Sequence, residues 1–288
     1  MIIDPKLSML ILSLIFPTAS SIFHNMYSHF ENANQMLENI MNHSVSDLPD
    51  LIKQKANPHT FSFAEDIYNY CRNNEIQIIT LESNEYPARL KEIDCPPSVL
   101  YCMGNLSALN VKKSVAIVGA RKSDDYSVKA ADFFSRSLSK NDTAIISGFA
   151  NGIDTAAHRA CLSANGITVA VLGCGINYDY PKGKGDLKKQ ISQNGAVISE
   201  YPPLTSPAPE NFRIRNRIIA GLSKAILVVE AGRKSGSLNT VTHGLEQGKD
   251  IYVIPPKDIF SANYAGQILL LKDGAQAVYT PHDILINL

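Results

Sequence analysis

Three arginines stand at alternate positions in Asn211-Phe212-Arg213-Ile214-Arg215-Asn216-Arg217, just ahead of the apolar run Ile218-Ile219-Ala220. A guanidinium is always charged and forks toward phosphate or carboxylate oxygens, so three packed together repel unless something negative lies among them. Two readings follow. Either the cluster pairs with carboxylates of this chain, such as Glu200 or Glu230, or it holds an anionic ligand. Asn216 either orients its two neighbours, hydrogen-bonds that ligand, or serves a turn.

The surrounding sequence favours phosphate. Val115-Ala116-Ile117-Val118 runs into Gly119-Ala120-Arg121-Lys122-Ser123, with a helix expected from about Tyr126 to Lys140. Ala144-Ile145-Ile146 runs into Ser147-Gly148-Phe149-Ala150-Asn151-Gly152-Ile153-Asp154, and Ile167 to Leu172 into Gly173-Cys174-Gly175. Strand, glycine turn and helix in repetition predict βαβ units around a parallel sheet. The later runs Ala196 to Ser199, Ala225 to Glu230 and Asp250 to Ile254 are apolar almost throughout, as strands covered on both faces are. Ligands of such sheets bind beyond the carboxyl ends of the strands, where Arg121, Lys122 and Ser123 fall. The Gly232 to Ser237 loop has phosphate-loop character but lacks the Gly-x-x-x-x-Gly-Lys-Ser/Thr spacing, and Gly119 opens no Gly-x-Gly-x-x-Gly. Neither a Walker NTPase nor an NAD fingerprint is read here, and no cofactor is expected.

These motifs, in this order, resemble the DNA-processing protein A (DprA/Smf) family. The matching pieces include Val115 to Arg121, Ser147 to Asp154 with Ala157-His158, Val171 to Gly175 with Tyr180-Pro181, and Ile198 to Pro203. Arg215 to Ser223 and Val228 to Ala231 with Ser235-Gly236-Ser237-Leu238 complete a resemblance over roughly residues 76 to 255. The chain departs from the family pattern at Arg213, where proline is usual, at Lys184, where asparagine is usual, and at Ser127, Pro256 and Gln267 to Leu271. The resemblance implies an extended Rossmann-type domain that binds single-stranded DNA in a basic pocket, dimerises and loads a RecA-type recombinase. On matching positions it implies phosphate contacts from Arg121, Arg215, Arg217 and the backbone at Gly119 and Gly148. Lys182 and Lys184 are expected on the same rim, and Arg213 joins them on proximity alone. No catalytic residue is expected. Two other classes stay open: a phosphoribohydrolase-like enzyme with Glu230 or Glu200 as general base, and a sensor of free nucleotides.

The elements that must position these groups occupy the basic part of the chain. Residues 1–110 hold 6 Lys and Arg against 12 Asp and Glu, and residues 111–288 hold 21 against 15, so the whole is neutral. A focused pocket needs only local charge. Residues 1–56 contain no glycine and carry helical apolar spacing in Leu7 to Phe16 and Ile22 to Ile40. They predict a small all-α module, helix-hairpin-helix-like by the resemblance, with Phe16-Pro17-Thr18-Ala19-Ser20 in place of the glycine hairpin that grips DNA. Residues 57–288 are expected to form the α/β domain, a mostly parallel sheet with helices on both faces, with no C-terminal winged-helix domain. The apolar run near the start is too short to span a bilayer and its positive flank is poor. Cys71, Cys95, Cys102, Cys161 and Cys174 show neither C-x-x-C nor zinc spacing, as in a reducing cytosol. No metal site and no membrane partner are expected.

Overall fold

The computed structural model describes residues 4–45 and 48–288. Five helices come first: α1 (Pro5–Ile15), α2 (Ser21–Tyr27), α3 (Ala33–Met41), α4 (Asp50–Lys55) and α5 (Pro58–Asn73). Local chemistry sets where they start. The side chains of Asp4, Ser20, Asn32 and Asn57 each accept a first-turn N–H, and Pro5 and Pro58 take first-turn positions where no N–H is needed. Helix α3 buries Ala33, Met36, Leu37 and Ile40, the stripe that spacing of three and four residues lays along one face.

An αβ extension follows, β1 (Gln77–Thr80), α6 (Ala88–Lys91) and β2 (Val99–Gly104), with β1 antiparallel to β2. Strands and helices then alternate: β3 (Lys113–Gly119), α7 (Asp125–Ser139), β4 (Thr143–Ser147), α8 (Ile153–Ser163), β5 (Thr168–Leu172), α9 (Gly185–Asn194) and β6 (Ala196–Ser199). The chain continues through α10 (Pro209–Leu222), β7 (Ala225–Glu230), α11 (Ser237–Glu246), β8 (Asp250–Val253), α12 (Ala265–Lys272), β9 (Gln276–Ala277) and α13 (His282–Leu285).

The strands form one sheet in the order β1-β2-β6-β5-β4-β3-β7-β8-β9. From β6 to β9 every neighbour is parallel, whereas β2 meets β6 antiparallel. Strand β3 shows why its residues are apolar without a break. Val115 and Ile117 pack with Phe134 and Leu138 of α7, while Ala116 and Val118 pack on the other face with Ile218 and Ile219 of α10. Burying each of the larger side chains contributes about 1.5–3 kcal/mol. Helices α1 to α5 share one apolar cluster with Val99, Tyr101, Ala170, Leu172 and Val197 of the sheet. The acidic, glycine-free opening of the chain is therefore seated on the same layer as α9.

Strands β4 to β6 lie to one side of β3 and β7 to β9 to the other, so the order reverses between β3 and β7. Such a reversal leaves a crevice at the carboxyl ends of the strands. The first two glycine turns meet there. Gly152 has φ +74°, and a Cβ on it would lie 2.2 Å from the Ala120 carbonyl oxygen, so only glycine lets the turns approach.

Glu82 ties the helical segment to the sheet edge: its Oε1 accepts from the Tyr27 hydroxyl and from the Ala33 N–H, each at 2.6 Å. Burial and the Glu82 carboxylate push the Tyr27 hydroxyl pKa up. Glu82→Ala strands both donors and is expected to cost about 1–3 kcal/mol in urea unfolding, with faster hydrogen exchange in α2 and α3. Unchanged exchange there would show that the apolar contacts alone hold the segment.

Candidate functional site

A cavity of about 730 Å³ opens in the crevice between β3 and β7. Gly119 and Arg121 line it from the turn after β3, Phe212, Arg213, Arg215 and Asn216 from α10, and Lys234 to Ser237 from the loop after β7. A smaller pocket of about 110 Å³ beside it is lined by Gly148, Cys174 and Tyr180, and shares Arg121, Phe212 and Arg215 with the main cavity.

Helix geometry sorts the three arginines. At 3.6 residues per turn, Arg215 and Asn216 lie within about 60° of Phe212 around α10, whereas Arg217 is turned about 140° away. Arg213, at the start of the second turn, is exposed at the cavity mouth. Arg215 is only 4% exposed. Its Nη1 donates to the Gly148 carbonyl at 2.8 Å and to the Val171 carbonyl, and its Nε donates to Asn216 Oδ1 at 3.2 Å. Asn216 is held in turn, its Nδ2 donating to Asn239 Oδ1 at 3.1 Å and to the Gly236 carbonyl at 3.3 Å. Burial lowers the Arg215 pKa to about 10, which leaves it charged at neutral pH.

Arg217 is not in the cavity. It is buried on the far side of α10, where Nη2 meets Glu200 Oε1 at 2.5 Å with both side chains less than a tenth exposed. The expectation that it contacts phosphate is corrected by that angle and that partner; the intramolecular pairing weighed from sequence holds for this one arginine.

Phe212 stands between Arg121 and Arg215, whose guanidinium carbons lie 5.4 and 5.8 Å from its ring centre. Gly148 must lack a side chain, because a Cβ there would lie 2.8 Å from Arg215 Nη2 and 2.9 Å from Asp154 Oδ2. Asp154 lines the cavity but accepts the Ala150 N–H at 3.1 Å, and burial raises its pKa. Arg121, Arg213, Arg215 and Lys234 make no ion pair among the described residues.

The remaining expected residues spread out. Lys184 turns inward, its Nζ donating to the Ala150 carbonyl at 3.1 Å and to Thr155 Oγ1, so it braces the second turn. Lys122 and Lys182 are exposed and Ser123 half-buried, and none of the three lines either space. Neither Glu200 nor Glu230 lines the cavity, and Glu230, 1% exposed, accepts the Asp124 N–H at 3.1 Å. Among the described residues no group of His, Cys, Asp and Glu is placed to hold a metal. His158 is wholly buried, its Nδ1 2.7 Å from Thr168 Oγ1, and burial lowers its pKa to about 3. Among the lining residues not assigned to the site from sequence are Asp154, Phe212, Lys234, Ser235 and Ser237. The loop of the last three carried a visible signal in its serines and glycines, but its place opposite Arg121 follows from strand order.

A doubly wound sheet with glycine turns and a buried arginine at its switch point defines a Rossmann-type protein with a candidate anion site. The chain belongs to the DNA recombination-mediator protein A family, whose model matches residues 77–288. It is 35% identical to the DNA processing protein DprA of Bacillus subtilis over 75% of this chain and 73% of that one. Some curated relatives are longer, and the match spans 59% of the Synechocystis protein Smf. The X-ray structure of DprA from Streptococcus pneumoniae superposes with a TM-score of 0.84 at 31% identity, covering 99% of this chain and 98% of that one. DprA from Helicobacter pylori, whose structure is described as revealing a single-stranded DNA binding mode, gives a TM-score of 0.66 at 30% identity over 73% of this chain and 95% of that one.

The contrast within α10 is testable. Arg217→Ala leaves the Glu200 carboxylate buried and alone and is expected to cost about 3–5 kcal/mol in chemical denaturation, without changing anion affinity of the folded fraction. Loss of affinity at full stability would return Arg217 to the site.

Proposed function

We propose that this protein binds single-stranded DNA through its phosphates in the cavity between β3 and β7, and works as a recombination mediator rather than an enzyme. One observation carries the reading: Arg215 is buried, hydrogen-bonded to carbonyl and amide oxygens and in no ion pair among the described residues, with Asp154 acting on it at longer range, and it faces a cavity whose mouth holds Arg121, Arg213 and Lys234. Arg121, Arg213, Arg215 and Lys234 against the single carboxylate of Asp154 leave the cavity lining positive, and a phosphate entering it supplies the missing charge. A positive groove with an aromatic ring in it, here Phe212, suits single strands, whose bases are free to stack.

The family name and the DNA-binding relative from Helicobacter pylori support the choice of DNA over a free nucleotide. The displacement of Glu200 and Glu230 from the cavity removes the two bases that an enzymatic reading relied on. In this proposal the bound strand is handed to a RecA-type recombinase inside the cytoplasm. The protein works as a homodimer, a second copy covering the surface groove where Val241, Leu245, Ile251 and Leu270 come together. Leu245 there is 63% exposed. Light scattering at micromolar concentration is expected to give the mass of two chains; a single-chain mass would remove the dimer from the proposal.

The deciding experiment is fluorescence anisotropy with labelled oligo-dT and matched duplex at two salt concentrations, with mononucleotides as competitors. Oligo-dT is expected to bind more tightly than duplex. Arg121→Ala or Arg213→Ala should each weaken binding about tenfold at low salt and reduce the salt slope by about 0.7. Equal binding of both forms, or full competition by mononucleotides at equal concentration, would overturn the reading in favour of a nucleotide site.

A further inference from the structure

Outside the cavity, a second group of unpaired cations lies along the same end of the sheet. Strands β3, β7 and β8 are adjacent and parallel, so the loops after Gly119, Glu230 and Val253 emerge side by side, about 10 Å from first to last. These loops carry Lys122, Arg233 and Lys257, all exposed, beside the cavity residues Arg121 and Lys234. None of the five makes an ion pair among the described residues. The nearby acids make no ion pair with these cations among the described residues, and Asp124 feels the Lys257 charge. Asp124 caps α7 through Ser127 N–H and accepts the Tyr264 hydroxyl, Asp258 accepts Phe260 N–H, and Asp125 sits in the first turn of α7.

The three loops form one surface. Gly266 N–H donates to the Ala231 carbonyl at 2.8 Å, and the Tyr126 hydroxyl donates to the Pro255 carbonyl at 3.1 Å. A Cβ on Gly232 would lie 3.2 Å from the Ala262 carbonyl oxygen. Three residues after Lys257, in the loop after β8, Phe260 is 91% exposed, the most open of the large apolar side chains described, with Ile259 beside it at 65%. A phenyl ring this exposed has its face open to a stacking partner.

We propose that a single strand leaving the cavity runs over Arg233 and Lys257 and stacks a base on Phe260, so that the loops after β7 and β8 form an exit track. The inference rests on the single-strand reading above and extends it beyond the cavity. Charge favours a nucleic-acid occupant. A second copy is assigned to the groove lined by Leu245, Lys249 and Asp250, at the start of β8 rather than beyond its end.

The test compares oligo-dT of about six nucleotides, which the cavity and its mouth accommodate, with oligo-dT of about 25, on the full chain. Phe260→Ser is expected to weaken binding of the long strand five- to tenfold and leave the short one unchanged. The double variant Arg233→Ala with Lys257→Ala is expected to reduce the salt slope for the long strand by about 1.4, again sparing the short one. Equal effects on both lengths, or no effect on the long strand, would overturn the track. So would a change of mass by light scattering with long-strand affinity intact, which would assign Phe260 to a protein interface. Failure of the wild-type protein to bind either length would instead sink the single-strand reading itself.

Discussion

The burial of Arg215 without an ion pair among the described residues is the constraint on which the site depends. A guanidinium removed from water must be satisfied by hydrogen bonds and by some counter-charge. The protein supplies the first through the Gly148 and Val171 carbonyls and Asn216, three acceptors from β5, α10 and the turn after β4. It supplies the second only in part, through Asp154 beyond ion-pair distance, and leaves the rest to whatever enters the cavity. Much of the neighbourhood follows from holding that one side chain: the bare Gly148, Asn216 fastened to α11, and Lys184 bracing the turn that carries Gly148.

Helix α10 therefore works as a partition. Its Phe212, Arg215 and Asn216 face the crevice at the switch point, and its Arg217 closes a buried pair with Glu200 on the other side, toward Tyr86 and His24. Residues only two apart in sequence serve ligand binding and internal cohesion, because two residues on a helix are nearly opposite each other. Burial raises the Glu200 pKa, so the pair holds together through the excellent approach of its two charges.

The N-terminal helices give the sheet a second kind of support. They cover β1 and β2 at the antiparallel edge and reach Ala170, Leu172 and Val197 in the parallel part, so the acidic third of the chain is built into the layer that backs the basic site. Their charge is kept away from the cavity, which is lined from residue 118 onward. Local neutralisation of the pocket by its own chain is thereby limited to Asp154, whose carboxylate is turned to Ala150.

The amino-acid sequence by itself determined the strand-turn-helix rhythm, the place of the glycine turns and the chemistry wanted at their ends. Unbroken apolar runs, helix caps and glycine positions are local properties, readable wherever the chain goes. It also showed that the arginines needed something negative. Only the tertiary structure decided which. The partner of Arg217 is Glu200, seventeen residues away, while Arg215 makes no ion pair among the described residues; that division depends on the angle of α10 against the sheet. The same holds for Lys234 and Ser235, which join Arg121 because β7 returns beside β3 rather than beside β6. Strand order is set by long-range packing of both faces of the sheet, and no window of sequence contains it.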